Sequence, residues 1–399
     1  MAHLNVLLRS THVIPTASFP HEAYKFRRHT RSKHASAAWN PRRCSAACTV
    51  AVSSGNDKQS ALTLVAAGHA VPHPDKVSTG GEDAFMVVID EVGGAAAVAD
   101  GVTGWNEKGV DPGAYSRALV SAARNSLLES GGVMDVKTLV GAAQESAKVP
   151  GSATFVVATL DGLQSRLDVA NVGDTGVRVI RNGQVILETP QQQHQFDMPF
   201  QLACEAFTTV KYDSAEDAQL FSTQVQAGDW VILGSDGLYD NLFLEQIVSI
   251  QARVAKESGS TTDCFSTAQA VARELVERAA EHSKDPRREV PYAAAKAKEE
   301  ASKPGAFKMP GFMKGKAVGG KLDDITAVAA LVVDSATGIE QQTLASAKGL
   351  ASEVAEQTKK IADAALAANA EKAEKEQRLR DKIKAREMEF QNRMAQEDE

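Results

Sequence analysis

Two apolar runs in this chain end in the same way. Residues 95–99 read AAAVA and lead into Asp100-Gly101, and residues 229–233 read DWVIL before Gly234 and Ser235 lead into Asp236-Gly237. A short apolar run bounded by turn residues is the mark of a buried strand. A carboxylate delivered to the end of such a strand costs several kcal/mol if it is buried without a partner. The chain must therefore fold so that strand ends bring carboxylates to a place where something compensates them.

The neighbouring pattern says what kind of sheet those strands join. Residues 62–67, 85–89, 95–99, 153–160, 166–171, 177–180, 185–187, 229–233 and 326–333 read as strands, and Arg181-Asn182-Gly183-Gln184 reads as a tight hairpin turn. Asp111-Pro112-Gly113 opens a helix that runs to about residue 129 and stops at Gly131-Gly132, with a second over 135–148. Further helices are expected over 243–256 and 263–282. Strands in hairpin order with helix pairs grouped between them predict an α+β fold, an antiparallel sheet with helices packed outside it.

Acids beside these strand ends form a set: Glu82 and Asp83 in GGEDAF, Asp100 in ADGV, Asp174 in NVGDTG, Asp236 and Asp240 in SDGLYD, and Asp323 and Asp324 in GGKLDDIT. Asp-Gly is also a common turn pair, so any one of these alone reads as a turn or cap. Taken together, and with no matching His or Cys cluster, they suit hard divalent cations such as Mg2+ or Mn2+ better than zinc. Two such ions sharing one carboxylate would activate a water and clamp a transferring phosphoryl group.

Charge and composition narrow the class. Lys and Arg number 44 against 51 Asp and Glu, a net charge of -7, which argues against a general nucleic-acid binder. The four cysteines, Cys44, Cys48, Cys204 and Cys264, have neither disulfide-framework nor zinc-finger spacing, and none sits in a phosphate-cradling loop. No apolar run reaches the roughly 18 to 20 residues of a membrane span, so a soluble or at most peripheral protein is expected.

Three segments stand apart. Residues 1–53 carry Arg9, Lys25, Arg27, Arg28, Arg31, Lys33, Arg42 and Arg43 against the single acid Glu22, which suits an organelle transit peptide and linker. Composition leaves chloroplast and mitochondrion open, as well as a basic tail that targets nothing. Residues 283–320 have Lys, Pro, Gly and Ala without a clear period and read as a long flexible insertion, in which Phe307, Lys308, Phe312, Lys314 and Lys316 suit contact with an anionic membrane or a phosphorylated tail as well as plain solvation. Residues 335–399, rich in Ala, Glu, Lys and Arg, read as a charged helical tail.

GGEDAF, AVADGV, GSATFVVATL followed by ANVGDTGVRVI, GDWVILGSDGLYDN and GGKLDDITAVAALV resemble, in order and spacing, the metal-dependent protein phosphatases of type 2C, the PPM family. The resemblance covers about residues 62–334. It implies a four-layer α-β-β-α sandwich of two antiparallel sheets, and a serine/threonine phosphatase in which a metal-bridging hydroxide attacks phosphorus in line, without a phosphoenzyme. It also implies roles: Asp100 bridging two ions with the Gly101 carbonyl as a further ligand, Asp236 and Asp323 as direct ligands, Glu82 and Asp83 holding metal-bound waters, and Asp174 and Asp240 as ligands of a third ion.

HPDKVSTGGEDAF, DGVTGWNEKGVDPGAYS and QQQHQFDMPFQL further resemble a chloroplast branch of that family, the photosystem II core phosphatases. This implies phosphorylated thylakoid proteins as partners and the chloroplast stroma as location. A mitochondrial-matrix enzyme of the same family, or a catalytically weak scaffold, are the alternatives. Two positions depart from the wider family. Lys76 stands where many members carry an Arg before Glu-Asp, and is a candidate partner of the substrate phosphate. Val102 stands where many members carry a His after Asp-Gly, which leaves the leaving-group proton to His194 or to a metal-bound water, unless His194 is a loop residue packed on Phe196.

Overall fold

The computed structural model describes residues 61–132, 134–204, 212–258, 264–303 and 316–335. The basic segment 1–53, the stretch from Phe307 to Lys314 and the tail beyond residue 335 lie outside the described residues.

In chain order the elements are β1 (Leu62–Val71), β2 (Asp83–Val88), β3 (Gly94–Gly101), α1 (Pro112–Glu129), α2 (Val136–Ser146), β4 (Ser152–Asp161), β5 (Arg166–Val172), β6 (Gly176–Arg181) and β7 (Gln184–Glu188). Then come the short β8 (Gln193–Gln195), β9 (Met198–Pro199) and β10 (Leu202–Ala203), followed by β11 (Gln219–Gln224), β12 (Trp230–Gly234) and the one-turn α3 (Asp236–Tyr239). The helices α4 (Leu244–Glu257), α5 (Cys264–Ser283) and α6 (Pro291–Ser302) precede β13 (Ile325–Asp334).

One sheet runs β1-β13-β12-β6-β7 and the other β11-β5-β4-β3-β2, with β10 against the start of β4 and β8-β9 as a separate hairpin. Every strand pair is antiparallel.

The period-2 alternation of side chains explains the layers. On β3, Ala95, Ala97 and Ala99 pack with Tyr115 and Leu119 of α1 and with Leu139 of α2. The alternate residues Ala96 and Val98 instead meet Val231, Leu233, Val328 and Ala330 of the facing sheet. On that sheet Ile232, Ala327 and Ala329 turn outward onto Ile247 of α4 and Val271 and Leu275 of α5. Three apolar layers thus separate helices, sheet, sheet and helices, which is the four-layer α-β-β-α sandwich.

Besides the short β8, β9, β10 and α3, two longer elements are absent from the sequence reading. β11 has no buried residue, its exposure alternating along QLFSTQ, so it is an edge strand whose half-polar sequence lacks an apolar run. The stretch 283–320 is not without structure, because α6 lies inside it. Pro291 fits its first turn and it buries no residue, so it has no apolar stripe from which a period can be read. Among the described residues no helix is long and apolar enough to cross a membrane.

Phe155 of β4 is fully buried in the layer beneath α1 and α2. Phe155→Ala should lower unfolding free energy by about 3–5 kcal/mol, read from urea denaturation at unchanged m-value. A loss below about 1 kcal/mol would show that this layer is not close-packed.

Candidate metal centre

The same alternation that builds the core also aims the carboxylates. Asp100 continues the face of Ala96 and Val98, so it points between the sheets at their end. β2 pairs with β3 in a register that sets Asp83 opposite Asp100, and Asp83 shares the face of Phe85 and Val87. Like charges directly opposite one another on a sheet repel.

The facing sheet contributes from adjacent strands. β12 ends at Gly234, Ser235 stands just before α3, and Asp236 is the first residue of that turn. Asp323 and Asp324 lie just before β13, which pairs with β12. Asp174 sits in the turn that carries the chain from β5 in one sheet to β6 in the other.

Two glycines let these segments approach. A Cβ at Gly101 would lie 2.8 Å from the Glu82 carbonyl oxygen and 2.9 Å from that of Pro112, and one at Gly237 would lie 2.1 Å from the carbonyl oxygen of Asp324. The Asp-Gly pairs of the sequence therefore have a packing reason for their glycine as well as a chemical reason for their acid.

The gathered charges are poorly compensated. Both oxygens of Asp83 and Oδ1 of Asp236 are buried with no hydrogen-bond partner. Burial, followed by the charges of Asp83, Asp236, Asp323 and Asp174, pushes the Asp100 carboxyl well above its usual range. Burial and then Asp324 do the same to Asp83. Asp174 is pushed up to about 8 by burial and Asp236, against a hydrogen bond from Gln193 Nε2 at 3.2 Å. Asp323 is pushed up to about 7 by burial and Asp236, and Asp240 to about 6 by burial, with Lys321 pulling the other way.

Two lysines answer part of this charge. Lys76 Nζ donates to Glu82 Oε2 at 2.7 Å, Asp324 Oδ2 at 2.9 Å and Thr103 Oγ1 at 3.1 Å. Glu82 also accepts from Thr103 at 2.6 Å and from Asn106 Nδ2 at 2.6 Å. Asp324 further accepts from the backbone N–H groups of His73 and Glu82, tying the entry turn to β13. An ammonium has three N–H donors, and all three of Lys76 are engaged. In this arrangement Lys76 organises Glu82 and Asp324.

Lys321 Nζ lies 2.6 Å from Asp236 Oδ2, 2.9 Å from Asp240 Oδ2, 3.4 Å from Asp323 and 3.5 Å from Asp197. Burial alone would push Asp236 up, but the Lys321 ammonium wins and holds it below the usual carboxylate range. Among the described residues no group of three or more carboxylate, imidazole or thiol side chains is closed to metal-ligand spacing around one point. The orphaned oxygens and the raised carboxyls fit a set of hard-cation ligands.

Sequence reasoning brought together Glu82, Asp83, Asp100, Gly101, Asp174, Asp236, Asp240 and Asp323, and the fold places all of them at this one end of the sandwich. It named Asp324 among the acids without giving it a role, and it missed Lys321 and Asp197. Lys321 stood inside GGKLDDIT, where a lysine two residues before paired acids was the available signal. His194 is set differently: Nε2 is 3.0 Å from both oxygens of Asp213, and its ring stacks on Phe200 at 3.8 Å. Packing on Phe196 is thus corrected to Phe200, while Phe196 sits against Tyr292 at 5.9 Å. Val102 begins the turn Thr103–Lys108, its N–H bonded to the Ser152 carbonyl, and offers no proton.

A carboxyl raised on folding binds more protons in the folded chain than in the unfolded one. Its stabilising contribution is complete below the unfolded value and is lost as pH climbs through the folded value. For Asp174 that window is from 3.8 to about 8. In chelator, Asp174→Asn should match the wild-type Tm near about pH 3 and exceed it near about pH 8.5. Thermal melts at the two pH values check this, and an equal gap at both would refute it.

No family model matches the chain. It is 39% identical over 300 residues to a probable protein phosphatase 2C 26 of Arabidopsis thaliana, covering 74% of this chain and 93% of that relative. It is 40% identical over 267 residues to a probable protein phosphatase 2C 1 of Oryza sativa subsp. japonica, covering 66% and 74%. Its fold is similar to the X-ray structure of the photosystem II phosphatase PBCP, with 37% identity and a TM-score of 0.57 over 67% of this chain and 98% of that one. With two sheets in the expected layers, the acidic set at their shared end and relatives matched over most of their length, the chain belongs to the protein phosphatase 2C family of metal-dependent serine/threonine phosphatases.

Proposed function

We propose that this chain dephosphorylates phosphoserine and phosphothreonine in thylakoid proteins of the photosystem II core, in the chloroplast stroma, with Mg2+ or Mn2+ as cofactor. The observation that supports the chemistry is the convergence of Asp83, Asp100, Asp236, Asp323 and Asp174 from both sheets with oxygens left unpaired. The likeness to PBCP supports the substrate class, and the acid-poor basic segment 1–53 supports import into the plastid.

In this reading Asp100, Asp236, Asp323 and the Gly101 carbonyl would hold two ions, Glu82 and Asp83 would orient water beside them, and Asp174 and Asp240 would reach a third. The chemistry that such ions supply when bound is an activated water and neutralisation of the charge on the transferring phosphoryl group. The protein's own part is positioning. Lys76 and Asn106 hold the Glu82 carboxylate in one orientation. Asp324 anchors the turn that carries Glu82. Gln193 and Asp197 bring the β8-β9 hairpin against Asp174 and Lys321, and His194 braces that hairpin through Asp213 and Phe200.

Phosphate release from phosphorylated thylakoids and from a phosphothreonine peptide, with Mn2+ or Mg2+, tests the reading. The wild type should be active and chelator should abolish activity. Asp100→Asn should lose at least about 100-fold in kcat/KM, as expected when a ligand of the ions that neutralise the transferring phosphoryl group is removed. Activity that survives chelator would remove the metal from the mechanism. Release from the peptide but not from thylakoid proteins would remove the substrate assignment alone.

A further inference from the structure

The carboxylates of the centre are not equally needy. Among the described residues no cation pairs with Asp83 or Asp100, and both oxygens of Asp83 are orphaned. Asp236, Asp240 and Asp323 instead surround Lys321 Nζ at 2.6, 2.9 and 3.4 Å. An ammonium at that spacing supplies one positive charge to the corner where a further divalent ion would sit.

Lys321 is not a surface lysine that happens to reach inward. Its backbone N–H donates to Asn241 Oδ1 at 3.0 Å and its carbonyl accepts from Asn241 Nδ2 at 2.9 Å. Asn241 is fully buried and also bonds the Gly237 carbonyl, so the lysine is locked to the turn that carries Asp236. The segment before it is fixed as well: Gly319 and Gly320 donate to the carbonyls of Arg288 and Asp285. A Cβ at Gly320 would lie 2.1 Å from the His282 carbonyl oxygen. Above the ammonium stands the ring of Tyr292, 5.1 Å from Nζ, a face that favours a cation. Backbone anchors on one side and an aromatic face on the other direct Nζ to the acidic corner.

We propose that Lys321 is a built-in cation for the Asp236–Asp240–Asp323 corner and competes there with the outermost divalent ion. Lys321 is a positioning residue in this account. It holds Asp236 and Asp323 towards the inner pair while that pair remains open to metal, and it lowers occupancy of the third site that Asp174 and Asp240 would otherwise build. This rests on the metal reading above and adds to it the number of ions the resting enzyme holds.

The test is Mn2+ binding to the full chain, by equilibrium dialysis with metal analysis, for wild type, Lys321→Met and Lys321→Arg. The wild type should bind two ions tightly. Lys321→Met should bind one more, or tighten the weakest step by about tenfold or more, because an opposing charge at contact distance is gone. Lys321→Arg, which keeps the charge, should retain the wild-type count. Equal stoichiometry and affinity in wild type and Lys321→Met would overturn the proposal, whereas a wild type that binds no Mn2+ would overturn the metal reading beneath it. A second measurement needs no variant. Raising Mn2+ should expose Lys321 of the wild type to amine acetylation, mapped by mass spectrometry, and modification that is independent of Mn2+ overturns the competition even if Lys321→Met does not fold.

Discussion

Mutual repulsion among carboxylates at the seam of two sheets is the constraint on which this structure depends. Asp83 and Asp100 face each other across one sheet, and Asp236 and Asp323 come from neighbouring strands of the other. Nothing in an apolar sandwich would bring such groups together, because each buried charge costs free energy unless it is paired. The fold overcomes that cost with rigid strands whose alternation leaves no other direction for the side chains. Ala96 and Val98 commit one face of β3 to the inter-sheet core, so Asp100 must follow them. A stable core thereby holds a centre that is unstable by itself.

The two lysines divide the centre into a braced rim and an uncompensated middle. Lys76 joins Glu82, Asp324 and Thr103, and Lys321 joins Asp236, Asp240, Asp323 and Asp197. Neither reaches Asp83 or Asp100 by any ion pair described. An ammonium is a compact charge that holds several carboxylates without the planar geometry an arginine would impose. Such rims fix ligand orientation while the unpaired inner pair sets the demand for a cation. Within the rim the carboxylate nearest the ammonium gains most: Asp236, 2.6 Å from Lys321 Nζ, is held low, whereas burial and the charge of Asp236 push Asp323 and Asp174 up to about 7 and about 8.

Much of this was legible in the sequence, and the limits have physical causes. The strands of the core showed as apolar runs because both of their faces are buried, and the acids showed because each follows a strand or adjoins a glycine. β11 did not show, since an edge strand with alternating exposure has no continuous apolar run. Nor did α6, which buries nothing. Lys76 was legible as a cation beside Glu82 but not in its partner, because Asp324 is 248 residues away in the chain. His194 was legible as a loop histidine, yet its stacking on Phe200 and its contact with Asp213 depend on how the hairpin closes. Spacing along the chain reports which residues a strand delivers; it does not report which side chains cross between strands to meet them.

The stretch 283–320 shows how a peripheral segment becomes part of the centre. Loop-closure entropy grows only with the logarithm of length, so a long insertion is tolerable provided its ends are fixed. Here they are fixed to one another and to the site. The Tyr292 N–H bonds the Asp240 carbonyl at one end of the stretch, and Gly319, Gly320 and Lys321 bond Arg288, Asp285 and Asn241 at the other. His282 Nδ1, at the end of α5, lies 3.0 Å from the Asn241 carbonyl and closes the base. These anchors hold Lys321 and Asp323 in place just before β13. The insertion adds to the centre through Tyr292, whose ring faces Lys321 and packs beside Phe196 of the hairpin. The centre's outer wall is thus built from two segments remote in sequence that meet over one ammonium.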